Sequence, residues 1–175
     1  MGKDWDIVEV LRHTRHDWLN KLQIIKGNLD LNRIDRAKQV INEIVIETQH
    51  ETKLSNLHAP LFASLLLKSN WENPSFKLEY EVLLDSGVKI DDVRLTNWTH
   101  SFFLCLNQAI DVFHENHLSI TIEPQSEGVR FFFDFSGIII KRELIEEVLT
   151  DQKVDLEVKE FSKDEITIEL FMPGL

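Results

Sequence analysis

One cysteine, one tyrosine, two methionines, four prolines and six glycines in 175 residues leave several structural classes without material. Lone Cys105 cannot close an intrachain disulfide. Set in an apolar stretch, it reads as a buried bystander in a protein of a reducing compartment. So little glycine and proline excludes collagen-like and low-complexity chains. No apolar run approaches the roughly 18 to 20 residues of a membrane span. The charged opening, Met1 to Asp6, lacks the apolar centre of a secretory signal, and Asp6 stands where an N-myristoylation motif wants Ser or Thr. The expectation is a cytoplasmic protein with no membrane partner. What the chain does have is 43% hydrophobic and 28% charged residues, enough to bury a core in one ordinary domain or two small ones.

The net charge of −11 is unevenly spread. Residues 1–58 balance nine basic against nine acidic side chains, whereas residues 59–175 hold ten basic and twenty-one acidic. An acidic surface repels phosphate backbones at long range, so nucleic acid is not an expected partner, and the two parts are expected to do different jobs.

From about Trp5 to Leu31 apolar residues recur at helical spacing. At about 100° per residue with His16 at zero, Ile7, Leu11, Trp18, Leu22, Ile25 and Leu29 form one stripe, while Glu9, Arg12, Asn20, Gln23 and Gly27 fall within about 40° of His16. His13 lies near 60°. Turn-prone Asn28 to Arg33 then precedes a second amphipathic helix running to about Asn56. Two such helices cannot enclose a core alone. Pairing two copies into a four-helix bundle would bury both stripes, and packing the hairpin on its own C-terminal part is the alternative.

Past Pro60 the pattern changes. A short helix, Leu61 to Trp71, is predicted to end at the Asn73-Pro74 turn; a strand over 76–82, a helix over 91–113, a hairpin over 117–123 and 129–135, a helix over 141–150 and a strand pair over 156–160 and 165–171 follow. Phe131, Phe132, Phe133 and Phe135 read as a strand buried on one or both faces. The fold class is α+β: an N-terminal helical hairpin over 1–58, expected to dimerise, then an α/β sandwich over 59–175.

The chemistry gathers in Arg15-His16-Asp17-Trp18-Leu19-Asn20-Lys21-Leu22-Gln23. Neutral imidazole is a good nucleophile near pH 7, and Arg12, Arg15, Lys21, Asn20 and Gln23 offer the positive or hydrogen-bonding surroundings a phosphoryl group needs. Asp17 can fix the imidazole tautomer. Gly27, on the same face, leaves room for another protein's backbone. Trp18 reads as a core anchor. The bland alternative is a histidine decorating a solvated helix.

His16-Asp17, Asn20 and Leu22 resemble the histidine box of two-component signalling. With Arg15 before the histidine, the Lys21-Leu22 pair, Lys26-Gly27-Asn28-Leu29 and Lys53-Leu54-Ser55-Asn56-Leu57, the chain is similar to the sporulation initiation phosphotransferase B family of bacilli, over most of its length. The resemblance implies a homodimer in which His16, supported by Asp17, Arg15 and Asn20, accepts a phosphoryl group from a phosphoaspartyl receiver and passes it to a second receiver, controlling sporulation initiation. Arg12, His13, Gln23 and Gly27 would meet the partner. The implied donor is a single-domain response regulator and the acceptor a DNA-binding one. The chain needs no cofactor of its own, and Mg2+ comes with the receiver.

The resemblance also implies that residues 59–175 are a degenerate histidine-kinase-ATPase-like domain. Gln108 stands where that fold holds a metal-binding Asn, with Asn107 beside it, and Asp134-Phe135-Ser136-Gly137 resembles the adenine-binding turn with one residue too many. Thirty-eight residues follow Gly137 and read as a helix and two strands, with no Gly-rich turn for a phosphate lid. The expected enzyme is therefore not ATP-dependent. The histidine pairs 13/16 and 114/117 lack an evident third ligand, so no metal site is expected. A noncatalytic dimeric adaptor or inhibitor of two-component signalling with a vestigial histidine box is the competing reading.

Overall fold

A computed structural model describes residues 5–72, 75–84, 87–150 and 154–175. By their contacts they divide into two compact units, Met1–Gln49 and His50–Leu175. The division falls inside a helix, because the end of the second hairpin helix shares its core with the α/β part.

Helix α1 spans Ile7–Asp30. Asp6 caps it, its carboxylate accepting from the backbone N–H groups of Val8 and Glu9 at 2.8 Å, which satisfies two of the donors a helix start leaves open. The helix closes with Leu31 N–H donating to Gly27 O, and Asn32 adopts φ 53°, the left-handed conformation Asn tolerates better than most residues. Helix α2 then spans Ile34–Ser55. No residue of α1 is buried, and in α2 only Ala37, Val40 and Leu54 are. Ile7, Leu11, Leu22 and Leu29 on α1, and Ile34, Ile41, Val45 and Ile46 on α2, all stand exposed. Trp18 is 46% exposed, so the expected core anchor is not one within a single chain.

The second unit is a five-stranded sheet with helices α3 (Pro60–Ser69), α4 (Asp92–Ala109) and α5 (Arg142–Leu149). Its strands are β1 (Lys77–Val82), β2 (His117–Pro124), β3 (Gly128–Ser136), β4 (Asp155–Phe161) and β5 (Glu165–Pro173), in the spatial order β1-β2-β3-β5-β4. Strand β1 runs parallel to β2, joined through α4, and the other pairs are antiparallel. Burial alternates along the central strands: Leu118, Ile120 and Ile122, then Phe131, Phe133 and Phe135, then Ile166, Ile168 and Leu170 all turn to one face. Phe62 of α3 meets Phe131 edge-on at 5.3 Å, and Trp98 of α4 meets Phe133 at 5.2 Å, so these helices cover that face. Phe132 is half-buried on the other face, which makes β3 a strand buried on one face.

Three differences from the sequence expectation have local causes. Helix α4 stops at Ala109, short of Phe113, because Ile110 turns to extended backbone, bridges Ile139, and hands over to Asp111 N–H donating to Ile138 O. Helix α3 ends at Ser69 rather than Trp71, and Asn70 bonds the backbone of Leu78 both ways, donating to its carbonyl at 2.9 Å and accepting from its N–H at 3.0 Å. Cys105 is half-buried rather than buried; burial, then the neighbouring Glu147 carboxylate, push its thiol pKa up. The predicted Asn73-Pro74 turn and the opening residues 1–4 lie outside the described residues.

The exposed edge of β1 is covered from within the same unit. His50 Nδ1 accepts from Val82 N–H at 3.0 Å, and Lys53 Nζ donates to the carbonyls of Val82 and Leu83. These bonds satisfy an edge that would otherwise be open to another strand.

Candidate active site around His16

His16 sits in the middle of α1, where a regular helix fixes its backbone and the neighbouring turns decide its surroundings. Its side chain is 71% exposed. Asn20, one turn later, brings its amide nitrogen to 3.2 Å from His16 Nδ1, and Asp17 places Oδ1 at 3.5 Å from the same atom. Both contacts fall on Nδ1. Nε2 is the ring nitrogen with no partner among the described residues, and it is available to an incoming electrophile.

The two neighbours want opposite things of Nδ1. An amide N–H requires a lone pair there, whereas a carboxylate requires a proton. With the proton on Nδ1, Asp17 accepts it, the Asn20 carboxamide presents its oxygen after a half-turn, and the lone pair moves to Nε2. That tautomer is the nucleophilic one for the exposed nitrogen.

Arg12, Gln23 and Gly27 are exposed on the helix face of His16, as the spacing predicts. Beyond its two neighbours and the backbone of its own helix, no heavy atom lies within 4 Å of where a β-carbon on Gly27 would stand, so that surface is open. Arg15 is exposed on the flank of this face. Neither Arg12 nor Arg15 has an ion-pair partner among the described residues, which leaves both cations available to a dianionic group. His13 is half-buried and packs edge-on against Trp5 at 4.8 Å.

Lys21 does not join this set. Its ammonium pairs with Glu47 of α2 at 2.6 Å and sits 5.7 Å from the centre of the Trp18 ring, so it ties the two helices of the hairpin together. Its position about 140° around the helix from His16 carries the signal, and Glu47 could not be matched to it without the tertiary pairing.

Of the motif positions of the second unit, Asn107 and Gly137 are part of its own framework. Asn107 Oδ1 accepts from Ser75 N–H at 2.6 Å, while Gln108 is exposed. Asn116, 4% exposed, donates to the carbonyls of Ser75, Asp111 and His114 and accepts from Ile138 N–H. Its amide occupies the space a side chain on Gly137 would need. Asp134 is exposed on β3, and His114 pairs with Asp111 at 3.1 Å. Among the described residues no three His, Cys, Asp or Glu side chains gather to hold a metal, and no helix is long and apolar enough to cross a membrane.

Comparison with known proteins bears on both units. The family model of the sporulation initiation phosphotransferase B C-terminal domain matches residues 58–173, and that of the α-helical domain of SpoOB-type sensor kinases matches residues 3–57. Sporulation initiation phosphotransferase B of Bacillus subtilis (strain 168) is 34% identical over 159 residues, covering 89% of this chain and 83% of that protein. Among solved structures, the nucleotide-free catalytic domain of histidine kinase ThkA is 13% identical with a TM-score of 0.46, covering 69% of this chain and 93% of that one. Histidine kinase AdeS of Acinetobacter baumannii is 10% identical with a TM-score of 0.43, covering 90% and 97%.

Proposed function

The chain belongs to the sporulation initiation phosphotransferase B family, and from that premise we propose that His16 carries a phosphoryl group between two proteins of the phosphorelay that controls sporulation initiation. The observation that carries this reading is an imidazole 71% exposed on a polar helix face, with both intrachain contacts on Nδ1. In the forward step the Nε2 lone pair attacks phosphorus in line, the P–O bond to the donor aspartate breaks, and its electron pair leaves with the carboxylate. Asp17 holds the Nδ1 proton and stabilises the positive charge that develops on the ring. A second receiver's aspartate then attacks the same phosphorus, the N–P bond breaks, and neutral imidazole returns. Arg12 and Arg15 attract the phosphoryl oxygens, while Gln23 and Gly27 leave a surface on which a receiver can seat. His13 would border it.

Positioning supplies most of the acceleration such a carrier needs. The donor is a single-domain receiver, the acceptor a DNA-binding one, and each brings the Mg2+ its own aspartate requires. The bond of Asn107 to Ser75 N–H, and the filling of the space at Gly137 by Asn116, support transfer that does not depend on ATP. The exposed apolar stripe on α1 and α2 supports a homodimer joined as a four-helix bundle, and the cytoplasm is the compartment we propose for it.

The test mixes the full chain with several phosphoaspartyl receivers without ATP and follows acid-labile, base-stable phosphate. Label on wild type and none on His16→Ala is the expected result. No label on either, with every receiver, would leave the adaptor reading in its place.

A further inference from the structure

Within the second unit the sheet has one face under α3 and α4, and among the described residues of that unit no helix covers the other, which is not an ordinary polar exterior. Carboxylates turn outward on every strand: Glu79 and Glu81 on β1, Glu123 on β2, Asp134 on β3, Glu169 on β5 and Glu157 on β4. The cations among them are already engaged, Lys77 with Glu79, Arg130 with Glu169, and Lys159 with both Glu157 and Glu169. Glu157 stands directly opposite Glu169 across the β4–β5 pair, a like-charge placement that costs stability without a third charge between them. Phe132 on the middle strand β3 and Phe171 on the adjacent β5, diagonal neighbours across that pair, break the polar alternation and remain partly exposed. Phe171 and Arg130 also line a cavity of about 290 Å³ together with Glu127, Asp155, Glu157 and Glu169.

We propose that this sheet face is a docking surface for another protein, and that its occupant is a basic amphipathic helix whose apolar side chains seat on Phe132 and Phe171 while its Lys and Arg residues meet the surrounding carboxylates. The sign of the charge selects the occupant. Nucleic acid and anionic membrane are repelled by this face, and a second acidic sheet of the same kind is repelled by itself. Apolar anchors inside a charged surround are the anatomy of a protein interface, in which the rim steers encounter and the centre holds. Docking on this face needs no chemistry at His16.

The experiment uses the full chain and a fluorescein-labelled model peptide of Lys and Leu at amphipathic helical spacing, followed by anisotropy at about 0.05 M and 0.15 M salt, a range over which exposed charges are progressively screened. Two triple variants change net charge equally: Glu81→Lys, Glu123→Lys and Asp134→Lys on the face, and Glu115→Lys, Glu143→Lys and Glu147→Lys away from it. Saturable binding that the face variant weakens tenfold or more and the distant one less than twofold is the expected result. Phe132→Thr, checked for an intact thermal transition, is expected to weaken what binding survives at the higher salt. Equal loss from both triple variants would reduce the attraction to net charge alone and overturn the proposal, as would no binding to wild type. Tight binding of a Glu/Leu peptide of the same spacing would overturn the assigned occupant.

Discussion

The amide oxygen of Asn116 lies where a β-carbon on residue 137 would stand, and it accepts a hydrogen bond from Ile138 N–H at 3.1 Å. Gly137 is thus fixed by a side chain twenty-one positions earlier, and Asn116 by four backbone partners. Gly137→Ala is expected to destabilise the chain by about 1–3 kcal/mol through overpacking. Asn116→Ala, which takes their side-chain partner from the part-buried Ile138 N–H and the Ser75 and His114 carbonyls, is expected to cost about 1–3 kcal/mol. Because the two share one space, the double variant should lose less than the sum, which urea unfolding of the four proteins measures.

Asp92 joins two helices. Its carboxylate accepts from Leu61 N–H at 2.8 Å and Phe62 N–H at 2.9 Å, the opening donors of α3, and from Thr96 Oγ1 at 3.2 Å within α4. Ala59 gives α3 no side-chain cap, so Asp92 performs that role from a distance. Asp92→Ala should lower stability by about 1–2 kcal/mol, and Asp92→Asn, which keeps one acceptor, by less. Thermal unfolding distinguishes them.

Asn20→Ala should leave His16 phosphorylatable but poorly oriented. Transfer from a phosphoaspartyl receiver is expected to slow by about ten- to a hundredfold while helicity by circular dichroism is unchanged. Transfer at the wild-type rate would show that the 3.2 Å contact does not orient the ring.

Cys105 carries the pH prediction. Burial, and secondarily the Glu147 carboxylate, raise its folded pKa above that of an unfolded thiol, so the unfolded chain gives up this proton first as pH rises. The contribution is neutral below the unfolded pKa and turns destabilising above it. Stability should fall through the alkaline range more steeply in wild type than in Cys105→Ala. Glu147→Gln should speed alkylation of the thiol at pH 8, by less than opening the site with denaturant does.

Leu22, 54% exposed on α1, tests the bundle. Light scattering of wild type is expected to give twice the 20.5 kDa of one chain, and Leu22→Glu should return the single-chain mass by placing a charge in the shared core. A wild-type mass of 20.5 kDa at every concentration would refute the dimer.

The elements, and the polar helix face that carries His16, are legible in the amino-acid pattern alone. Period 3.6 over Trp5 to Leu31 and period 2 along Leu118 to Ile122 are local properties of the chain, and the first puts His16 opposite an apolar stripe whatever the tertiary contacts. The order of helices and strands followed for the same reason. Tertiary structure decided everything that depends on residues far apart in the chain. It paired Lys21 with Glu47 and so took that cation away from the helix face of His16, and it ended α4 four residues early at the Ile110–Ile139 bridge. It put Asp92 on another helix's first turn and Asn116 into the space beside Gly137. Periodicity reports which side of an element is apolar, but a hydrogen bond across twenty residues or more exists only once the packed core has fixed both ends.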